Sequence, residues 1–408
     1  MKRLVERGAK HIFMLPGGGA MHLNDAVFLN KDLIPIACHH EQACGIAAEA
    51  YGRVDNSGNP GFGVALVTTG PGSTNIITPV AGAWIDSIPL LVIAGQVKRP
   101  DLLGDQPIRQ SGVQEVDILP MITRVTKYSS TISSPNQIEQ VLSDAFFFML
   151  SGRPGPVWIE VPLDIQAHQL DYHNTNRNSR LVSNEENILS KDQLNNIESL
   201  LKKSKRPLFL AGHGIRLSGA ANEFRGLYNH WNIPVVTTWN AIDLIAFEHH
   251  LCVGSPGVVA SRAPNFAVQN CDLLISIGSR IDNVITAYNP TNFAPNASKI
   301  VIDIDQNELD NHKFVIDESI IMDARAAIRS MMNINLPNID YSPWIGICKQ
   351  WKSKYHFEFK PNSSLDDQGT ISNYSFVSHL SDVIPPSTLI VTGSSGLSIE
   401  VFYSSFRV

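Results

Sequence analysis

The sequence predicts an α/β protein in which successive parallel-sheet domains carry helices on both faces. Short β-branched runs alternate with helical patterns along most of the 408 residues, the rhythm of strand–helix–strand units. Helix starts are punctuated by Ser and Pro with Gln following, the signature of a capping box. Two polar, aperiodic stretches, 166–189 and 360–372, interrupt that rhythm and read as linkers.

Element by element, strands are expected at 11–15, 33–38, 63–68, 89–94 and 156–161. A helix over 135–151 is well marked. Ser134 caps it, Pro135 occupies its first position and Gln137 completes the box; Ile138, Val141, Leu142, Ala145, Phe146 and Met149 share one face, and Gly152 and Pro154 end it. Residues 1–165 thus form one domain and 166–189 a linker. A second domain, 190–337, opens with another box at Ser190 and Gln193, and its strands are expected at 207–211, 234–238, 272–277 and 299–305. The remaining 338–408 reads as a linker, a short helix and one strand at 387–392, the beginning of an incomplete third domain.

Composition narrows the function classes. The chain is 43% hydrophobic and 17% charged, with 32 basic against 38 acidic residues and a net charge of −6. No basic patch suits a phosphate backbone, so no nucleic-acid partner is expected. No apolar run approaches the roughly 18 residues of a membrane helix, and the charged start lacks the apolar centre of a signal peptide. The five cysteines form no C-x-x-C pair. Such a sparse set fits reduced thiols and a cytoplasmic protein.

Three strand-to-loop junctions could carry chemistry, because ligands of parallel sheets bind at the carboxyl ends of strands. Leu15-Pro16-Gly17-Gly18-Gly19 allows close approach of backbone to a ligand, although on its own it reads first as a structural turn. His39-His40-Glu41-Gln42 precedes an Ala-rich helix. There Glu41 reads either as a cap stabilised by the helix dipole or, aimed into an apolar cleft, as a proton-holding carboxyl. Thr69-Gly70-Pro71-Gly72-Ser73-Thr74-Asn75 fixes a sharp loop with donors at a helix start, an anion or cofactor edge. The phosphate-loop and spaced Gly fingerprints of nucleotide sites are missing, and Gly212-His213-Gly214 is only a weak dinucleotide hint.

In order, Pro-Gly-Gly after a strand, His-Glu-Gln before an Ala-rich helix, and Gly-Pro-Gly-x-Thr-Asn resemble the pyrimidine-binding domain of thiamine-diphosphate enzymes, above all the acetolactate synthase large subunit. The likeness continues through Val113-Gln114-Glu115 and Gly152-Arg153-Pro154-Gly155-Pro156. It covers 10–165 closely and 190–335 more loosely, and implies a thiamine-diphosphate-binding fold followed by a Rossmann-like central domain.

The resemblance implies decarboxylation or carboligation of 2-oxo acids, with pyruvate to acetolactate as the default reaction. It places Glu41 at the glutamate that hydrogen-bonds the cofactor's aminopyrimidine, Gly17 and Gly18 at its reacting end, Pro71 and Asn75 against the pyrimidine, and Gln114 facing the substrate. His40 matches the histidine beside the glutamate, or simply enters the helix. Val113 stands where the family has Phe, which opens the substrate pocket to another acceptor. FAD-holding members carry arginines where Arg153 and Arg280 stand, yet Gly257-Val258-Val259-Ala260 and Arg280-Ile281-Asp282-Asn283-Val284 depart from their flavin loops. Mg2+ would hold the diphosphate through a Gly-Asp-Gly that these 408 residues lack, so its ligands are expected beyond Val408 and none in this chain. The family places its site between chains, implying a homodimer or homotetramer. A non-catalytic subunit lending its pyrimidine domain to another chain is the alternative.

Overall fold

A computed structural model describes residues 1–54, 61–169, 188–336, 339–355, 369–385, 387–393 and 395–408. The polar stretches expected as linkers lie largely outside the described residues, as does the expected domain end at Pro337. The chain divides into two compact units, Met1–Glu185 and Glu186–Val408.

The first unit is built on a six-stranded sheet. Its strands are β1 (His11–Met14), β2 (Ile34–Ala37), β3 (Gly63–Val67), β4 (Leu90–Gln96), β5 (Tyr128–Thr131) and β6 (Val157–Pro162), in the order β2-β1-β3-β4-β6-β5. Every pairing is parallel. β3, β4 and β6 are buried along their whole length, which is why they read as apolar runs broken only by Gln96 and Glu160. The expected strands agree with the observed ones to within two residues at either end. β5 was not expected. As an edge strand of sequence Tyr-Ser-Ser-Thr it is only half-buried, and it carries no apolar signal.

The helix Ile138–Leu150 buries Val141, Ala145, Phe146 and Met149, with Ile138 and Leu142 packed beside them. Its entry corrects the expected capping box. Residues Pro135–Gln137 form a 3-10 turn in which Ser134 makes no side-chain cap, and Gln137 Oε1 instead accepts from Ser133 N at 3.2 Å and Ser133 Oγ at 2.9 Å. A first turn wound on three residues has moved the free N–H groups out of line with Ser134.

The second unit has its own sheet, with strands β7 (Pro207–Ala211), β8 (Val235–Thr237), β9 (Cys252–Gly254), β10 (Leu273–Ile277), β11 (Ser298–Asp303) and β12 (Glu318–Ile321). Their order is β12-β11-β10-β7-β8-β9, again parallel throughout. Numbered within this unit the order is 6-5-4-1-2-3, the doubly wound arrangement of dinucleotide-binding sheets. Alternate residues of β7 face opposite cores: Leu208 and Leu210 one, Phe209 and Ala211 the other. The capping box at Ser190 is present in full, with Gln193 N donating to Ser190 Oγ at 3.2 Å and Ser190 N to Gln193 Oε1 at 3.0 Å. The helix Ser342–Tyr355 seats Trp344 in this unit, where Trp344 Nε1 donates to the Pro207 carbonyl at 2.9 Å.

The strand expected at 387–392 does not form. Ser387 is a turn residue with φ of 67°, the described residues after it belong to no sheet, and Leu389 and Val391 are exposed. A β-branched run becomes a strand only when a neighbour takes up its backbone groups.

Candidate active site

In the order β2-β1-β3-β4-β6-β5 the chain turns to opposite sides after β1 and after β3. The crevice between the carboxyl ends of those two strands is the topological switch point where such sheets take ligands. The Gly17 loop follows β1 and the Gly70 loop follows β3; Glu41 begins the helix that follows β2.

Glycine is required where these loops meet. A side chain at Gly17 would come within 2.6 Å of Thr68, and one at Gly19 within 2.6 Å of Thr69. Gly19 N donates to Thr68 Oγ1 at 3.1 Å, and Gln166 Nε2 holds the Gly19 carbonyl at 2.8 Å. Gly18, by contrast, faces open space. Of the two expected glycines, therefore, Gly17 sets the loop and Gly18 leaves room beside it.

Glu41 is the first residue of the helix Glu41–Val54 and only 7% exposed. Its carboxylate does not cap that helix. Oε2 accepts from Asn75 Nδ2 at 2.9 Å, whereas the Gln42 N–H of the first turn donates to His40 Nδ1 at 3.0 Å. The helix-entry role belongs to His40. Gly72 lies so close that an added Cβ would stand 3.4 Å from Glu41 Oε1. Pro71 begins the short helix Pro71–Asn75. The Ser73 and Thr74 hydroxyls, expected to face an anion, turn instead to the carbonyls of Thr68 and Pro71 at 3.2 Å each.

Gln114 is brought to the same place by backbone. Gly70 has φ of 56°, and a Cβ there would overlap the Gln114 carbonyl oxygen at 1.8 Å. Gln114 itself has φ of 62° and an exposed side chain, and Val113 beside it is 86% exposed. Such close packing of two left-handed residues joins the Gly70 and Gln114 loops into one rim. Glu41, Asn75, Pro71, Gly17 and Gln114 are thus gathered around the β1/β3 crevice.

Two features escaped the sequence reading. Glu115 is buried, and its carboxylate accepts the backbone N–H groups of Leu103, Ser111 and Gly112, folding the loop that presents Gln114. Behind the site, Gln96 joins Thr69 to Glu160 across the sheet. Burial pushes the Glu160 carboxyl up to about 7, and the charge of Asp117 adds to this, while the bonds from Thr131 and Gln96 act the other way. In the sequence Glu160 was one carboxylate inside an apolar run and Glu115 one of two in a polar loop, with nothing to mark either as buried.

The arrangement fits the pyrimidine end of thiamine diphosphate. It offers a buried carboxylate with one oxygen bonded to Asn75 and the other beside the Cβ-free face of Gly72, and side-chain-free backbone at Gly17. The flavin contacts are less favoured. Arg153 Nε donates to Ser87 Oγ at 2.8 Å in the first unit, while Arg280 pairs with Asp282 at 3.5 Å in the second. Gly257 has φ of 130° and is bracketed by both side-chain atoms of Asn265, so its glycine is explained locally.

Comparison with known proteins agrees with this geometry. Residues 1–121 match the model of the thiamine pyrophosphate enzyme N-terminal TPP-binding domain, and residues 194–331 that of the central domain. The acetolactate synthase large subunit of Lactococcus lactis is 34% identical over 373 residues, 91% of this chain and 63% of that protein. The large subunits of Corynebacterium glutamicum and Cyanidium caldarium are each 32% identical, covering 92% and 89% of this chain and 59% and 62% of their own length. The chain spans about 60% of the length of these curated relatives. No helix among the described residues is long and apolar enough to cross a membrane. With two domain models matched in sequence order, and relatives similar along about nine tenths of its length, the chain belongs to the thiamine pyrophosphate enzyme family.

Proposed function

We propose that this chain supplies the pyrimidine half-site of a thiamine-diphosphate-dependent enzyme that decarboxylates or ligates 2-oxo acids, with pyruvate to acetolactate as the default reaction. The observation that carries the reading is Glu41, a buried carboxylate held by Asn75 at the β1/β3 switch point. Thiamine diphosphate, when bound, supplies the carbon nucleophile and accepts the electron pair released as CO2 leaves. Glu41 holds and returns a proton at its free carboxyl oxygen, to a ring nitrogen of the aminopyrimidine. Asn75 keeps the other oxygen fixed, so the carboxyl cannot turn away. Burial excludes water from that proton. Gln114, exposed on the rim, orients the 2-oxo acid, and the short Val113 leaves room for an acceptor bulkier than pyruvate.

The same reading includes Mg2+ at the diphosphate and a site shared between two copies of the chain. Among the described residues no group of three or more His, Cys, Asp or Glu is placed to hold a metal ion, so no residue here is assigned to magnesium.

The decisive experiment is calorimetric titration of the purified chain with thiamine diphosphate and Mg2+, alongside Glu41→Gln and Asn75→Ala. Binding that weakens about tenfold or more in either variant is expected, since a charge-assisted bond in a dry site is lost. Unchanged binding in both would remove Glu41 from the site. Where the chain turns over pyruvate, Glu41→Gln lowers kcat by roughly 10²-fold or more.

A further inference from the structure

A chain of four side chains, three of them buried, crosses the carboxyl ends of four neighbouring strands in the first unit. Thr131 at the end of β5 donates to Glu160 Oε2 at 2.6 Å, and Gln96 Nε2 at the end of β4 donates to Glu160 Oε1 at 2.9 Å. Thr69, just beyond β3, donates to Gln96 Oε1 at 2.8 Å. Thr69, Gln96 and Glu160 are each 3% exposed. Two further bonds fix the direction of the chain. Val97 N donates to Gln96 Oε1 at 2.9 Å, and Gln96 Nε2 also donates to the Val116 carbonyl at 3.2 Å. A backbone N–H can only donate, so the Gln96 amide has a single orientation, its NH2 toward Glu160 and Val116.

This one amide therefore touches both loops of the rim. Thr69 immediately precedes Gly70-Pro71, and Val116 lies two residues after Gln114. A carboxyl and a carboxamide buried in central strands that are otherwise apolar cost desolvation that an apolar pair would avoid. They bring direction, which apolar packing does not.

We propose that Gln96, aimed by Glu160, is a positioning residue that sets the Gly70-Pro71-Gly72 loop and the Gln114 loop relative to one another in the cofactor site. The inference rests on the pyrimidine-site reading for its purpose, but its test needs no cofactor. The amides of Gly72, Thr74 and Glu115 are bonded within their own loops, to the carbonyls of Thr69, Gly70 and Gly112. Their hydrogen exchange therefore reports how firmly each loop is held.

Exchange is followed by mass spectrometry on the full chain without ligand, with β4 and the helix Ile138–Leu150 as internal references. Gln96→Leu and Glu160→Leu are expected to speed exchange in both loops about tenfold, the loss of one or two buried hydrogen bonds, with the references unchanged. Glu160→Gln keeps an acceptor for Gln96 and a partner for Thr131, and is expected to restore parental exchange. Parental rates in both loops of a folded Gln96→Leu protein would overturn the proposal. So would loosening in Glu160→Gln as large as in Glu160→Leu, because any change at that position would then act by packing alone. If the leucine variants do not fold, Thr69→Val decides: faster exchange confined to the 69–75 loop supports the proposal, and parental exchange there refutes it. A failed thiamine diphosphate titration leaves these outcomes untouched, which separates this inference from the function it serves.

Discussion

Both sheets of this molecule reverse direction at a glycine-bearing crevice, yet the two crevices are filled differently. In the first unit the loops after β1 and β3 surround a buried carboxylate, Glu41, with its amide partner Asn75. In the second, the loops after β7 and β10 close on each other. Gly212 N donates to the Ile277 carbonyl and Gly214 N to the Gly278 carbonyl, and a Cβ at Gly212 would stand 2.0 Å from Gly278 O. One crevice presents ionisable chemistry, and the other is sealed by its own backbone at that point. Topology alone locates a ligand-ready edge; the side chains that line it decide whether chemistry is placed there.

Gly212→Ala breaks this comparison most severely. The added methyl strikes backbone that cannot rotate aside, so a loss of about 4 kcal/mol is expected. Gly18→Ala is the matched control in the first unit. It meets nothing within 4 Å, and urea denaturation of the two variants should give a large fall in midpoint for the first and almost none for the second. Equal losses would mean that the crevices are packed alike.

Much of this architecture was legible in the sequence, for a physical reason. Strands buried on both faces, such as Gly63–Val67 and Pro207–Ala211, are apolar throughout, and such runs stand out. Edge or short strands escape: Tyr128–Thr131 is polar, Cys252–Gly254 has three residues, and Glu318–Ile321 alternates. The site was half legible. Motif order pointed to Glu41, Asn75 and Gln114, but spacing could not separate a capping carboxylate from a buried one; only the fold turns Glu41 toward Asn75 and gives the cap to His40. Gln96 and Glu160 escaped altogether, because their partnership spans 64 positions of sequence.

Glu160 sharpens the contrast between the two units through pH. Its carboxyl titrates near 7 in the folded protein because burial disfavours the charge and near 4.5 when exposed. Its side-chain partners are neutral (Gln96 on β4 and Thr131 on β5), and Asp117 is the charged group acting on it. Between those two values the folded state holds a proton that the unfolded chain releases. The stability contributed is therefore greatest below about 4.5, declines as pH rises through 7, and is level above it. Denaturation of the parent and Glu160→Gln at pH 5 and pH 8 should differ in slope, the variant gaining about 3 kcal/mol on the parent at the higher pH. Parallel behaviour would show that Glu160 is ionised throughout. In the second unit the Glu223 carboxyl moves the other way: burial raises it, but Arg325 and Arg329 hold it below its ordinary value.

The smallest effect comes from two helix entries with the same sequence signal. Ser134 and Ser190 are each followed three residues later by Gln, and the sequence alone gives no ground for treating them differently. At Ser190 both reciprocal bonds form; at Ser134 the first turn is 3-10 and the serine side chain caps nothing. Ser190→Ala should therefore cost about 1 kcal/mol, the usual worth of an N-cap, and Ser134→Ala only a few tenths. Gln137 tests the same point from the other side. Its carbonyl serves Ser133 rather than Ser134, so Ser133→Ala should cost more than Ser134→Ala although neither position completes a box. If instead Ser134→Ala matches Ser190→Ala in a urea midpoint series, the first turn of that helix winds as an α-helix in solution. The same Ser-to-Gln signal would then cap both helices.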